Sequence, residues 1–494
     1  MNLFNRAEII DQNFTKCLKN DEVPDDNNEL TLASVTISPS ELISIFESQV
    51  HSRHMDLKAR ELKERGECFY TIGSSGHEPN AVFGNIFPLT DIAFLHYRSG
   101  AFFIERSKQL HNSTPLYDMA LSYMASSEDP ISGGRHKVIG SKRLNIPPQT
   151  STIASHIPKA VGTAFSIDRA RDLDIKERKL VNDGIVLCSF GDASVNHASA
   201  LSGFNTARWV KSIGGNVPIV FICEDNGYGI SVPTPNNWIE NTFLNQQSIK
   251  YFQCNGLNLI DTIITTQKAQ EYCRNKRSPV FLHMKTVRLM GHAGSDIESN
   301  YLNLNEIEEK ERNDPLLHSA RTIITNNLLS SDEILDLYEQ ARIRIHYVFE
   351  KATSRPKLTL SSDVMKSIIS NDSKNVVPNI ANEEIRKKIF GKEYKRLDQP
   401  SHMAKLINYA LKDLMLQYKN ILVFGEDVAK KGGVYNVTAD LYKQFSVRRV
   451  FNSPLDETSI LGFAAGLAHN GFLPIPEIQF LAYFHNAEDQ LRGE

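Results

Sequence analysis

The chain has 494 residues, of which 41% are hydrophobic and 23% charged, and a net charge of −3. That length asks for two or three domains, and the near-neutral balance gives no reason to expect nucleic acid or an anionic membrane as partner. No apolar run approaches the roughly 20 residues of a spanning helix. The opening Met1-Asn2-Leu3-Phe4-Asn5-Arg6-Ala7-Glu8 lacks an apolar signal core and, being partly acidic, does not read as a mitochondrial leader, so a cytoplasmic location is expected.

Residues 1–34 are polar and rich in Asn and Asp, and are expected to form a loosely held arm. At Ser38-Pro39-Ser40-Glu41 a helix begins: Ser38 can cap, Pro39 suits the first turn, Glu41 can reach back to the cap amide, and Gly66 can end it. Helix and strand patterns then alternate. Residues 157–170 read as a helix, and unbroken apolar runs at 185–190, 218–223 and 279–284 read as strands covered on both faces, hence a parallel α/β sheet. The six cysteines form no CxxC pair and no zinc spacing, and Cys188 and Cys223 fall inside those strands as small core residues. A charged amphipathic helix over 331–352 closes a domain spanning 35–352, and 353–395 reads as a linker. A second α/β pattern fills 396–494, with a helix near 401–417, a strand at 421–424, a helix from Glu457 and a strand near 473–480. This second domain reads as unfinished.

Two strand ends carry chemistry. The first runs into Gly191-Asp192-Ala193-Ser194, and the next ends in Glu224-Asp225-Asn226-Gly227-Tyr228-Gly229-Ile230. Adjacent parallel strands place ligands beyond their carboxyl ends, and Asp192, the Asn226 amide oxygen and a nearby carbonyl are hard donors suited to Mg2+ shared with phosphates. Taken singly, Gly-Asp is more often a helix cap and Asp-Asn-Gly a turn. Both together, in this order, make the two readings even.

With these motifs the chain resembles the thiamine-diphosphate-dependent decarboxylating component of 2-oxoacid dehydrogenase complexes, alpha-type and beta-type halves fused in one polypeptide. The family motif is GDG with a later NN; here Ala193 replaces its third glycine, Asp225 its first asparagine, and the interval is a few residues longer. The resemblance extends to Gly76-His77-Glu78, His96-Tyr97-Arg98-Ser99-Gly100, Thr150–Pro158 and the loop Arg288–Asp296. It continues in Phe424–Val428, Gly432–Tyr435, Phe451–Glu457 and Glu477–Phe480. It implies a thiamine-diphosphate-binding α/β fold, parallel sheets flanked by helices, with a diphosphate-binding domain followed by an incomplete pyrimidine-binding domain.

The same resemblance implies roles. Asp192, Asn226 and the Tyr228 carbonyl would ligate magnesium. Tyr97, Arg98, Gly191, Ala193, Ser194 and Ile230 would border the cofactor, with Ser151 and Ile153, the latter wedged beneath its bent form. Glu457 would bond the aminopyrimidine, with Leu455, Gln479 and Tyr483 as further contacts, and His292 would serve catalysis near the diphosphate. His156 stands where a glutamine helps to hold potassium in branched-chain relatives, and Ala293 replaces the regulatory serine of mitochondrial relatives. Implied partners are a 2-oxoacid, preferably of the 3-methyl-2-oxobutanoate type, a dihydrolipoyl acyltransferase, and further copies of this chain in a homo-oligomer. The competing readings are a pyruvate dehydrogenase component and a non-catalytic homologue that kept the fold.

Overall fold

Unbroken apolar stretches bounded by Gly, Pro and Asp become parallel strands. In the computed structural model, which describes residues 5–24, 30, 32–149, 152–367 and 381–494, the first domain holds β1 (Ile92–Phe94), β2 (Val186–Gly191), β3 (Ile219–Asp225), the short antiparallel pair β4 (Tyr228–Gly229) and β5 (Val232–Pro233), then β6 (Lys250–Asn255) and β7 (Val280–Lys285). Five of these form one parallel sheet in the order β1-β2-β3-β7-β6. Residues of β2, β3 and β7 are almost wholly buried because helices cover both faces, which is why these strands read as continuous apolar runs. The second domain holds β8 (Ile421–Gly425), β9 (Val450–Asn452) and β10 (Leu473–Pro476), parallel in the order β10-β8-β9. β10 is shorter than the expected strand near 473–480, so Gln479 and Phe480 lie in the loop beyond it.

The capping box at Ser38 forms as expected, opening the helix Pro39–Glu64. The N-terminal segment corrects the sequence reading: Arg6–Lys19 is a helix, not a loose arm, with Ile10, Phe14 and Leu18 buried. Their spacing of four residues makes one apolar stripe on an otherwise polar segment. Phe14 stacks on Tyr338 with ring centroids 4.4 Å apart, and Asp11 takes both the Tyr338 hydroxyl at 2.8 Å and the Arg342 guanidinium at 2.8 Å. The region read as a linker is also partly ordered. Helix Ser361–Met365 is held by the Arg135 guanidinium on the carbonyls of Asp363 and Val364 at 2.6 and 2.9 Å. Helix Glu383–Phe390 docks on the second domain through Phe390 against Tyr409 and an Arg386–Asp413 pair at 2.7 Å.

The two domains meet where helix His156–Asp172 crosses helix Glu457–His469. A Cβ on Gly162 would lie 2.2 Å from the Phe463 carbonyl oxygen, and one on Gly466 would lie 2.1 Å from that of Lys159. Only glycine permits this backbone-to-backbone approach. Phe165 and Phe463 pack beside it at 5.0 Å, and the buried Asn470 accepts the Lys179 and Leu180 amides, each at 2.9 Å. Among the described residues, no helix is long and apolar enough to cross a membrane.

Candidate cofactor and active site

β2 and β3 are neighbours, in register from Val186↔Ile219 to Gly191↔Glu224, so the residues that follow them emerge side by side at one edge of the sheet. There a cavity of about 510 Å3 is lined by Tyr97, Arg98, Ile153, Gly191, Asp192, Ala193, Ser194, Asn226, Tyr228, Ile230 and His292. Eleven residues from five separate segments, each expected at the site, thus share one cavity. Ser151 lies outside the described residues.

Asp192 is fully buried. Its Oδ2 accepts the Thr234 hydroxyl at 2.7 Å, while Oδ1 takes no hydrogen bond among the described residues. Burial, and then the neighbouring Asp225 carboxylate, push its pKa up to about 7. A buried carboxylate with one unused oxygen and raised proton affinity is the setting that a divalent cation relieves. Asn226 Oδ1 accepts the Tyr228 amide at 3.1 Å and keeps a second lone pair. The donor set fits Mg2+. Asp225, in the place of the family's first asparagine, turns away: it bonds His283 Nε2 at 2.7 Å and accepts the Gly227 amide at 3.0 Å. Ala193 fits in place of the third glycine because Gly229 faces it; a Cβ there would lie 2.8 Å from the Ala193 methyl.

One side of the cavity is cationic. Arg98 is 3% exposed; its guanidinium donates to the Gly73 carbonyl at 2.6 Å and to His292 Nδ1 at 3.0 Å, and lies 5.0 Å from the Tyr97 ring centroid. Such a planar fork suits phosphate oxygens. His292 sits in a loop tied by its own amide to Asp296 at 2.6 Å. His156, the potassium-associated position, donates from Nε2 to the Ser189 carbonyl at 2.9 Å, which commits it to β2.

Three side chains here escaped the sequence reading. Arg288 is buried against the cavity, donating to the Ile230 carbonyl at 2.6 Å and the Tyr301 hydroxyl at 2.9 Å. Lys137 lines the cavity with its ammonium 4.7 Å from the Tyr123 ring centroid, and burial lowers its pKa to about 8. His77 bridges Asn226 and Glu224. Arg288 and His77 lie inside segments whose family match was visible, which was the available signal; an isolated lysine in a loop gives none.

The beta-type residues gather elsewhere. Glu457 opens its helix, 8% exposed, and accepts the Asn486 amide at 3.3 Å. Glu426 and Glu477 lie at the ends of β8 and β10, where burial and mutual repulsion push Glu477 up to about 7, and Gln479 donates to the Glu426 carbonyl at 3.4 Å. Leu455 is 83% exposed and Tyr483 43%. None of Leu455, Glu457, Gln479 and Tyr483 lines the cavity that holds Asp192 and Asn226.

Comparison with known proteins places the sequence in a family. Residues 399–494 match the pyrimidine binding domain of transketolase, and residues 47–361 match the family described as dehydrogenase E1 component. The 2-oxoisovalerate dehydrogenase subunit alpha of Bacillus subtilis is 25% identical over 329 residues, 65% of this chain and 93% of that subunit. The 3-methyl-2-oxobutanoate dehydrogenase subunit beta of Mycobacterium tuberculosis is 47% identical over 95 residues, 19% of this chain. The pyruvate dehydrogenase E1 component subunit beta of Staphylococcus epidermidis is 47% identical over 92 residues, again 19% of this chain. The chain spans only 27% and 28% of those two beta subunits. With more than half of its length matched, the chain belongs to the dehydrogenase E1 component family.

Proposed function

We propose that the protein is the decarboxylating component of a 2-oxoacid dehydrogenase complex, an oxidoreductase dependent on thiamine diphosphate and Mg2+. It acts on a branched-chain 2-oxoacid of the 3-methyl-2-oxobutanoate type and passes the acyl group to the lipoyl group of a dihydrolipoyl acyltransferase. The observation that carries this reading is the unused, buried Asp192 oxygen beside Asn226 at the β2–β3 edge, in one cavity with Arg98 and His292. The alpha-type relatives, named for 2-oxoisovalerate, support the branched substrate.

When bound, thiamine diphosphate supplies a nucleophilic thiazolium carbon and holds the electrons left when carbon dioxide departs. Asp192, Asn226 and the Tyr228 carbonyl hold the metal, and Tyr97 and Arg98 hold the diphosphate. Ser194 and the Gly191-Asp192-Ala193 turn bring backbone amides towards the same anion. Ile153 would pack against the bound cofactor. Glu457 would hold the aminopyrimidine ring through a hydrogen bond, with Leu455, Gln479 and Tyr483 as further contacts. His292 donates a hydrogen bond to charge developing on the substrate. Since the aminopyrimidine residues do not line the cavity of their own chain, and Leu455 and Tyr483 are exposed, a homo-oligomer is part of the proposal, with a second copy completing the site.

The test is artificial-acceptor reduction by the full-length protein with thiamine diphosphate and Mg2+, driven by 3-methyl-2-oxobutanoate and by pyruvate in parallel. Faster turnover of the branched acid is expected. Faster pyruvate turnover overturns the substrate, and no turnover with either by folded, cofactor-bound protein overturns the activity.

A further inference from the structure

We infer that His77 is a positioning residue whose imidazole, oriented by Glu224 and Asn80, fixes which end of the Asn226 amide faces the metal. The inference rests on the magnesium and thiamine diphosphate reading above. An asparagine ligand is ambiguous in a way that aspartate is not: rotated by half a turn, it presents an amine that repels a cation. Something must choose the orientation.

A run of one-way hydrogen bonds makes that choice here. It starts at a backbone N–H, which can only donate: Phe102 N donates to Asn80 Oδ1 at 2.9 Å. The Asn80 amine therefore points the other way, donating to the Arg98 carbonyl at 3.1 Å and to Glu224 Oε2 at 3.3 Å. Glu224 Oε2 already accepts from the Asn80 amine, so His77 Nδ1, 2.7 Å from the same oxygen, donates to it and carries the ring proton. His77 Nε2 is then a bare lone pair, 2.9 Å from Asn226 Nδ2, and the Asn226 amine must face it. Asn226 Oδ1 is thereby turned outward, where the Tyr228 amide meets it at 3.1 Å. The amide is thus read from both ends with the same result. His77, Glu224 and Asn80 are at most 1% exposed, so no water competes for the bonds among these three.

An alternative use of the same side chains is excluded by their occupancy. Ligand atoms of His77, His96 and Glu224 lie within 4.8 Å of one another. Both ring nitrogens of His77 are engaged, however, one with Glu224 and one with Asn226, so the ring has no free lone pair for a second cation.

The experiment reads the metal rather than turnover. Mn2+ replaces Mg2+, and its affinity and electron paramagnetic resonance spectrum are measured with thiamine diphosphate on wild type, His77→Leu, His77→Gln and a double variant that combines His77→Leu with Asn226→Asp. His77→Leu is expected to weaken Mn2+ by about 10–100-fold, the usual cost of removing an outer-shell partner. His77→Gln, which can still accept from Asn226 while donating to Glu224, stays near wild type. The double variant also recovers, because a carboxylate has two equivalent oxygens and needs no orienting partner. Wild-type affinity in His77→Leu, or no recovery in the double variant, overturns the inference. Wild-type protein that binds no Mn2+ with thiamine diphosphate overturns the proposed function itself. Should His77→Leu not fold, solid-state NMR of 15N-histidine-labelled wild type decides: an unprotonated Nε2 at His77 is expected, and a protonated one overturns the inference.

Discussion

Arg98 aims its guanidinium at Nδ1 of His292 from 3.0 Å and reaches the same residue's carbonyl at 3.3 Å. A guanidinium only donates, so Nδ1 keeps its lone pair and the ring proton sits on Nε2. Burial, and then the positive charges of Arg98 and Arg288, lower the pKa of His292 to about 4. In the cofactor-free protein His292 is therefore a neutral hydrogen-bond donor near neutral pH. Replacing it by alanine should lower kcat/KM by about 100-fold or more while leaving the shape of the pH profile between about pH 5.5 and 7.5 unchanged. Loss of an acid limb near pH 6 in the variant would contradict this assignment.

The buried histidines also set a pH dependence of stability. His51, His54, His156, His292 and His469 are all lowered from 6.5 to about 3 or 4, chiefly by burial. Below pH 6.5 the unfolded chain binds protons at these sites that the folded protein refuses, so stability falls as the medium is acidified towards pH 4. Asp192, Glu78 and Glu477, raised to about 7, act in the opposite sense over the interval down to the ordinary carboxyl range. Five groups outweigh three. The urea midpoint of the cofactor-free protein should drop between pH 7 and pH 5, and a rise would show that the three carboxyl groups outweigh the histidines.

Glu457→Ala should abolish decarboxylation, by about 100-fold or more, while Mn2+ and diphosphate binding persist, because Glu457 does not line the cavity holding Asp192 and Asn226. Turnover at the wild-type rate would remove Glu457 from the mechanism.

Arg53 is wholly buried, with Nε 2.7 Å from Glu78 and its two amino groups each 2.8 Å from an Asp314 oxygen. Arg53→Met leaves two buried carboxylates without their cation, and should cost about 3–5 kcal/mol. Equilibrium unfolding in urea measures it, and a loss below about 1 kcal/mol would place the pair among ordinary surface bridges.

Ala193 and Gly229 should behave as a coupled pair. Gly229→Ala places a methyl 2.8 Å from that of Ala193 and should cost about 1–3 kcal/mol. Ala193→Gly in the same chain should restore most of that loss, so the unfolding free energies of the four proteins should be strongly non-additive.

Legibility in the sequence followed burial on both faces. β2, β3 and β7 announce themselves because helices on either side favour apolar residues along most of each strand. β1 is only three residues long, and β6, at the sheet edge, mixes Lys250, Gln253 and Asn255 with its apolar residues, so neither stands out from its surroundings. The helix Arg6–Lys19 did carry a signal in Ile10, Phe14 and Leu18, masked by the polar residues between them. At the site, Asp192 and Asn226 are legible because a strand end fixes where they must point. His77, Lys137 and Arg288 are not, since their significance comes from burial among residues distant in the chain.

Gly162 and Gly466 also have a bearing on how the protein is made. Their helices are separated by about 300 residues of chain, which a ribosome adding roughly 5–20 residues per second takes about 15–60 s to supply. Until then the groove beside Gly162, flanked by Phe165, is without its cover. When the second helix emerges it arrives tethered to the first domain by the same chain, so its docking is intramolecular. Synthesis as one polypeptide therefore supplies the two domains in equal number and spares the nascent groove a search for a separate partner for this contact.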